Sequence, residues 1–250
     1  MLNIVIPMAG RGSRFQNAGF KAPKPLIVVD GKPMIQRVIQ NLRPSCDHRF
    51  TFICRSEDLE KYHIEGLLRS WTEVETTIVT VDQVTEGAAC TVLVAEPTFR
   101  PGEDLLIANS DQLIDVSISE FLKFSNSPDT DGVIMTFEAT DSKWSFARVN
   151  NKGLITEVAE KKPISNIATV GIYYFKSCME FVDAAKKMIE KDLRVNNEFY
   201  VCPVYNELIE TGKSIRPWNI QEQSMHGLGT PEDLKIFEDK ISQGLTPQWM

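Results

Sequence analysis

IVIPMAGRGSRF (residues 4–15) is an apolar, β-branched run that stops at a cluster holding two glycines and two arginines. Residues 3–7 read as a buried strand bounded by Gly10, followed by a loop that extends through Pro25. Three readings suit such a turn: an ordinary strand end, a dinucleotide-binding loop, or a cradle for a nucleoside triphosphate. A dinucleotide fingerprint needs Gly-x-Gly-x-x-Gly opening directly into a helix, and Phe15 stands where the third glycine belongs. The Gly-Lys-Ser/Thr of a Walker loop is also missing. What remains is either a plain turn with surface arginines or a turn whose exposed amides line up on phosphate oxygens, with Arg14 and Lys24 neutralising charge.

Outward from that stretch, strand and helix patterns alternate. LIVVDGKP (26–33) reads as a short strand and an Asp-Gly turn, and PMIQRVIQNL (33–42) places Ile35, Val38, Ile39 and Leu42 on one helical face. FTFICR (50–55) is a second buried strand, SEDLEKYHIEGLLRSW (56–71) a helix and TTIVTVD (76–82) a third strand. GAACTVLVA (87–95) reads as a helix crossing to DLLIANSDQLID (104–115), a buried strand that ends in a polar cluster. Alternation of this kind argues for an α/β fold with a mainly parallel sheet, which binds ligands beyond the carboxyl ends of its strands. After residue 130 come short strand candidates, GVIMTFEA, SFARVN, LITEVAEK and TVGIYYFK, with helical patterns again near 177–191 and 200–211. Without repeats or a linker, residues 1–250 read as one continuous domain with two functional halves, 1–130 and 131–250.

Composition bounds the function classes. At 250 residues, 42% hydrophobic and 24% charged, the chain has the makeup of a soluble globular protein. A formal charge of -7 argues against a broad electrostatic grip on nucleic acid or an anionic membrane. Cys46, Cys54, Cys90, Cys178 and Cys202 show no CxxC or short Cys/His spacing and read as reduced thiols. With neither a leader-like segment nor an apolar run of roughly 18 residues, a cytoplasmic protein is expected.

Three linked motifs sharpen the reading: Ala9-Gly10-Arg11-Gly12-Ser13-Arg14-Phe15, Pro23-Lys24-Pro25-Leu26 and Gly31-Lys32-Pro33-Met34-Ile35. In this order they resemble the N-terminal signature of the sugar-phosphate nucleotidyltransferases, or nucleotide-sugar pyrophosphorylases. The resemblance extends over roughly residues 3–236: Gln83-Val84-Thr85-Glu86-Gly87 resembles the family's base-reading segment, Asn109-Ser110-Asp111 its metal-binding aspartate, Glu160-Lys161-Lys162-Pro163 its Glu-Lys-Pro segment, and Gly229-Thr230-Pro231 its C-terminal motif. It implies a Rossmann-like nucleotidyltransferase fold, a mixed sheet flanked by helices, with a nucleotide-binding half over 1–130 and an acceptor-binding half over 131–250.

The implied reaction is attack by the phosphate oxygen of a phosphorylated acceptor on the α-phosphorus of a nucleoside triphosphate, with release of pyrophosphate. Two polyanions must then be brought together, which needs cations and oriented amides. By the resemblance, Arg14, Lys24 and Asp111 carry the chemistry, and Asp111 holds Mg²⁺, a hard cation suited to carboxylate and water. Ala9, Gly10, Gly12, Ser13, Gln83, Gly87 and Asn109 bind the nucleotide. Gln83 can offer a donor and an acceptor to a base edge, and Gly87 permits close backbone approach. Glu160, Lys161, Gly171 and Glu198 bind the acceptor; the doubled lysine leaves Lys161 or Lys162 for the acceptor phosphate.

Two departures from the family stand out. Many relatives carry Asp-x-Gly-Thr-Pro, whose Asp completes the metal site, whereas Gly227 stands there in this chain, leaving Glu198 and His226 as substitutes. The acceptor region holds Trp144, Phe146, Arg148, Tyr173 and Tyr200, each suited to core or pocket, so a phosphorylated non-sugar stays open beside a sugar phosphate. A pyrimidine triphosphate, CTP ahead, and a role in capsule or surface polysaccharide assembly complete the expectation. The alternatives are a catalytically silent nucleotide-binding homologue and a metal-dependent glycosyltransferase of related fold. A homo-oligomer is left open.

Overall fold

The computed structural model describes residues 1–245. Leu2–Pro7 lies between Asp104–Ala108 and His48–Arg55, parallel to both, with Val5 opposite Ile107 on one side and Thr51 on the other. Thr76–Val81 continues this parallel arrangement beyond His48–Arg55. Ile4 and Ile6 are fully buried on one face with Phe50, Phe52 and Val38, while Val5 is buried on the other with Ile53, Ile107 and Phe175. Burial on both faces is why the opening run is uniformly apolar rather than alternating. Each such side chain contributes about 1.5–3 kcal/mol.

Beyond Asp104–Ala108 the sheet becomes mixed. Ile167–Phe175 runs antiparallel to it, and on its other edge pairs with Gly132–Glu138, which in turn takes Ile215–Asn219 as a parallel neighbour. Ser145–Val149 and Ile155–Glu160 continue from the first half of Ile167–Phe175. One nine-stranded sheet therefore takes strands from both halves of the chain. It is the mixed, mainly parallel α/β architecture expected.

Several elements differ from their sequence readings. The loop expected through Pro25 contains a helix, Ser13–Asn17, because Phe15 turns into the core and is 1% exposed. Residues 26–29 give only a two-residue strand, Val28–Val29, paired with Lys32–Pro33. The helix expected over 56–71 breaks into Ser56–Tyr62 and Ile64–Thr72 at His63, whose φ of 50° is left-handed. The strand expected over 104–115 divides into Asp104–Ala108 and Gln112–Ile114, the second pairing with Met225–Gly227 in a separate two-stranded sheet. The helix expected from residue 200 begins at Val204, just after Pro203. Ile118–Ser125, Ile215–Asn219 and Pro231–Ser242 were not foreseen; Pro231–Ser242 is capped by Thr230, whose Oγ1 accepts from the Asp233 amide at 3.0 Å.

At the amino-terminal end of the parallel strands, Arg49 is buried and pairs with Glu103 at 2.7 Å while donating to the Thr98 carbonyl at 2.6 Å. Removing one partner of such a pair strands a buried charge. Glu75 lies 3.8 Å from Arg49 and offers partial compensation, so Glu103→Ala is expected to cost about 3 kcal/mol, the low end for a broken buried pair, in urea unfolding. An unchanged midpoint would show that Glu75 alone satisfies Arg49.

Candidate active site

A cavity of about 850 Å³ lies at the carboxyl ends of Leu2–Pro7 and Asp104–Ala108. Its first wall is the glycine turn: Gly10, Gly12, Arg14 and Lys24 all line it. Gly12 adopts φ 61°, and a Cβ there would come to 3.0 Å from the Lys24 Cβ, so the turn closes on Lys24 only because residue 12 has no side chain.

Facing that turn is Asp111, just past the end of Asp104–Ala108, with its carboxylate paired to Lys24 Nζ. The C-terminal segment is stitched to the same place, since the Leu228 amide donates to the Asp111 carbonyl at 2.7 Å. Gly229 stands beside the carboxylate: a Cβ there would lie 3.2 Å from Asp111 Oδ2 and 3.9 Å from Asp233 Oδ2. Gly227, where the family resemblance implies a second aspartate, lines the cavity without a side chain to offer.

The far wall is built where Ile167–Phe175 bulges. Its register slips between Thr169 and Tyr173 around Gly171, whose φ is 91°. The Asn109 amide donates to the Gly171 carbonyl at 3.1 Å, and a Cβ on Gly171 would strike Asn109 Nδ2 at 2.4 Å and Gln112 Nε2 at 2.5 Å. Gly171 thus lets the two side-chain amides lie flat against the backbone. Asn109 Nδ2 donates to Gln112 Oε1 at 3.2 Å.

Glu160 is buried at the end of Ile155–Glu160 and accepts from Ser145 Oγ. Desolvation pushes its carboxyl above the ordinary 4.5, opposed by the Ser145 hydrogen bond and by Lys161. Lys161, in a left-handed turn at φ 54°, bonds Tyr200 Oη at 2.5 Å and lies 4.6 Å from that ring's centre. Burial raises the Tyr200 phenol, as does its hydrogen bond to Glu198. Glu198 therefore acts on the cavity through Tyr200 rather than as one of its lining residues. Of the two lysines, Lys161 lines the cavity and Lys162 is exposed outside it.

Other expected residues sit elsewhere. Ala9 is buried under the turn and Ser13 opens the short helix; neither lines the cavity. Gln83 is exposed outside it. The close approach that Gly87 permits is to the backbone of Phe199: at φ 124°, a Cβ would meet the Phe199 carbonyl oxygen at 2.4 Å. His226 bonds Asp115 Oδ2 at 2.8 Å and lines a neighbouring cavity, so it does not replace the missing aspartate beside Asp111. Trp144, Tyr173 and Tyr200 line the main cavity, whereas Phe146 is core and Arg148 is exposed, 3.3 Å from Glu157. Sequence reasoning missed Gln112, Lys143 and Asp233, which also line it. Gln112 was one residue from the Asn109-Ser110-Asp111 motif, and Asp233 two residues from Gly229-Thr230-Pro231.

A glycine turn, two cations and a carboxylate gathered beyond adjacent parallel strands define a Rossmann-like nucleotide-handling α/β site. The nucleotidyl transferase family model matches residues 4–214, and the chain belongs to that family. It is 24% identical to Bifunctional protein GlmU of Methanocaldococcus jannaschii over 97% of this chain, but spans only 59% of that relative's length. It is 22% identical to UTP--glucose-1-phosphate uridylyltransferase AglF of Haloferax volcanii, over 98% of each chain. Among solved structures it is similar to a nucleoside-diphosphate-sugar pyrophosphorylase from Vibrio cholerae RC9, with TM-score 0.83, 25% identity and coverage of 94% of this chain and 99% of that one. The inositol-1-phosphate CTP transferase of T. maritima shares the fold at TM-score 0.72 and 19% identity, covering 97% of this chain and 96% of that one.

The buried Glu160 makes stability depend on pH with a definite sign. Its folded pKa lies above the unfolded value, so its contribution is fully present below the ordinary carboxyl range and is lost as pH rises through the folded value. Between pH of about 4.5 and about 7, wild type is expected to lose more thermal stability than Glu160→Gln. Parallel melting curves for the two proteins would count against this.

Gly171→Ala forces a left-handed Ala, costing about 1–2 kcal/mol, and displaces Asn109 and Gln112. Its expected phenotype is a folded protein, by circular dichroism, with turnover down at least about tenfold. Full activity would place the acceptor away from this bulge.

Proposed function

We propose that this chain transfers a nucleoside monophosphate from a nucleoside triphosphate to a phosphorylated small molecule, a sugar phosphate first among them. An oxygen of the acceptor phosphate forms a bond to the α-phosphorus, the bond to the bridging oxygen of the β-phosphate breaks, and pyrophosphate leaves with that electron pair. The observation that carries the reading is that the glycine turn and Asp111 converge through Lys24. Arg14 and Lys24 hold the triphosphate oxygens and offset their repulsion of the incoming phosphate. Glu160 accepts from acceptor hydroxyl or amine groups and Lys161 holds its phosphate, with Tyr200 fixing the ammonium.

Mg²⁺ suits this donor set. Among the described residues no group of three or more His, Cys, Asp or Glu forms a metal cage, but Mg²⁺ is ordinarily bound through one or two carboxylates plus substrate phosphates and water. Asp111 is the carboxylate that would hold it. When bound, it would supply charge neutralisation at the phosphate oxygens.

A pyrimidine triphosphate, CTP ahead of UTP, is the proposed donor. A uridylyltransferase and a CTP transferase among the similar proteins support a pyrimidine donor. We place the product in capsule or surface polysaccharide assembly, on family resemblance alone.

A thermal-shift screen of the four common triphosphates with Mg²⁺, followed by pyrophosphate release against sugar phosphates and non-sugar phosphates, tests this. Asp111→Ala should lower turnover by about 10²–10³. Nucleotide binding with no turnover across the acceptor panel would overturn the reading in favour of a silent nucleotide-binding homologue, which Gly227 already favours.

A further inference from the structure

Asp111 is the carboxylate that the Asn-Ser-Asp motif supplies to the cavity, and the position from which relatives add a second is Gly227. Apart from Glu160 and Glu232, the cavity nevertheless has one further carboxylate. Asp233, in the first turn of Pro231–Ser242, lines it and reaches the same spot beside Gly229 as Asp111 does: the two Oδ2 atoms lie 3.9 Å and 3.2 Å from where a Gly229 Cβ would stand. Each now leans on a lysine, Asp111 on Lys24 and Asp233 on Lys143, whose Nζ is 3.7 Å from Asp233 Oδ1.

A second feature, on the wall next to Asp111, points to a ligand oxygen in the same cavity. Gln112, next in sequence to Asp111, is 6% exposed and lines the cavity, yet its Nε2 has no hydrogen-bond partner. Asn109 donates to its Oε1, which leaves the Nε2 hydrogens to a ligand oxygen. Leaving a buried amide donor without an acceptor is unfavourable, which points to an oxygen that arrives with substrate. An anion brought between two carboxylates meets repulsion from both unless a cation sits among them. Once triphosphate oxygens draw Lys24 to themselves, Asp111 loses its counter-charge, and a divalent cation restores the balance.

We propose that Asp233 supplies, with Asp111, the second carboxylate of a divalent-cation site that relatives complete from the position of Gly227. The inference rests on the nucleotidyltransferase reading for its ligand, but not on turnover. Gly229 keeps the space between the carboxylates open, and the Thr230 cap holds Asp233 through its backbone amide.

Inorganic tripolyphosphate, which needs neither the right base nor the right acceptor, is the probe. Its affinity is measured calorimetrically with Mn²⁺ and with EDTA, and the ratio of the two gives the metal-dependent gain. Asp233→Asn keeps the helix cap, and circular dichroism confirms its fold; it should lose at least about tenfold of that gain, as should Asp111→Asn. Adding Gly227→Asp to Asp233→Asn should recover it. An Asp233→Asn protein with the wild-type gain would overturn the assignment, as would a wild type with no gain. Metal-dependent binding through both aspartates without pyrophosphate release would leave this inference standing and remove the proposed function instead.

Discussion

The ion pair between Lys24 and Asp111 joins residues 87 positions apart and is the contact around which the cavity is arranged. Leu2–Pro7 and Asp104–Ala108 are parallel neighbours, so their carboxyl ends open on the same edge, and the loop after the first returns Lys24 to the end of the second. Both side chains keep about a fifth of their surface in water, 20% and 21%. An ion pair so exposed adds little to stability, at most about 1 kcal/mol. Its position matters more than its strength: it sets a cation and a carboxylate side by side on the cavity wall.

The acceptor side depends on a backbone irregularity instead. Ile167–Phe175 serves three partners, Asp104–Ala108 along its second half, Ser145–Val149 at Ala168 and Gly132–Glu138 along both halves, and its register with the last slips between Thr169 and Tyr173. The slip falls at Gly171, the residue that accepts a left-handed φ without strain and lets Asn109 and Gln112 press against the backbone. The widened sheet leaves room for the half-buried Lys161 and Tyr200 and for the buried Glu160. This wall of the cavity is a place where sheet pairing fails in a controlled way, held by side-chain amides.

The C-terminal segment closes the site. Met225–Gly227 pairs with Gln112–Ile114, the Leu228 amide reaches Asp111, and Pro231–Ser242 starts with Thr230 at the cavity's rim. Residues more than a hundred positions apart therefore share one wall.

How much of this was legible follows from the range of each interaction. The apolar run at residues 4–7 and the alternation up to residue 115 are local patterns, and they determined the α/β class; the glycine, Pro-Lys, Asn-Ser-Asp and Glu-Lys motifs, through the family resemblance, pointed to Arg14, Lys24, Asp111, Glu160 and Lys161, all of which line the cavity. The break at His63 and the helix at Ser13–Asn17 were not legible, because one depends on a left-handed residue and the other on Phe15 finding the core. Gln112, Lys143 and Asp233 carry no spacing signal. Only the tertiary structure placed them in the cavity, because a side chain's neighbours across a mixed sheet are set by strand order and register, which no local periodicity records.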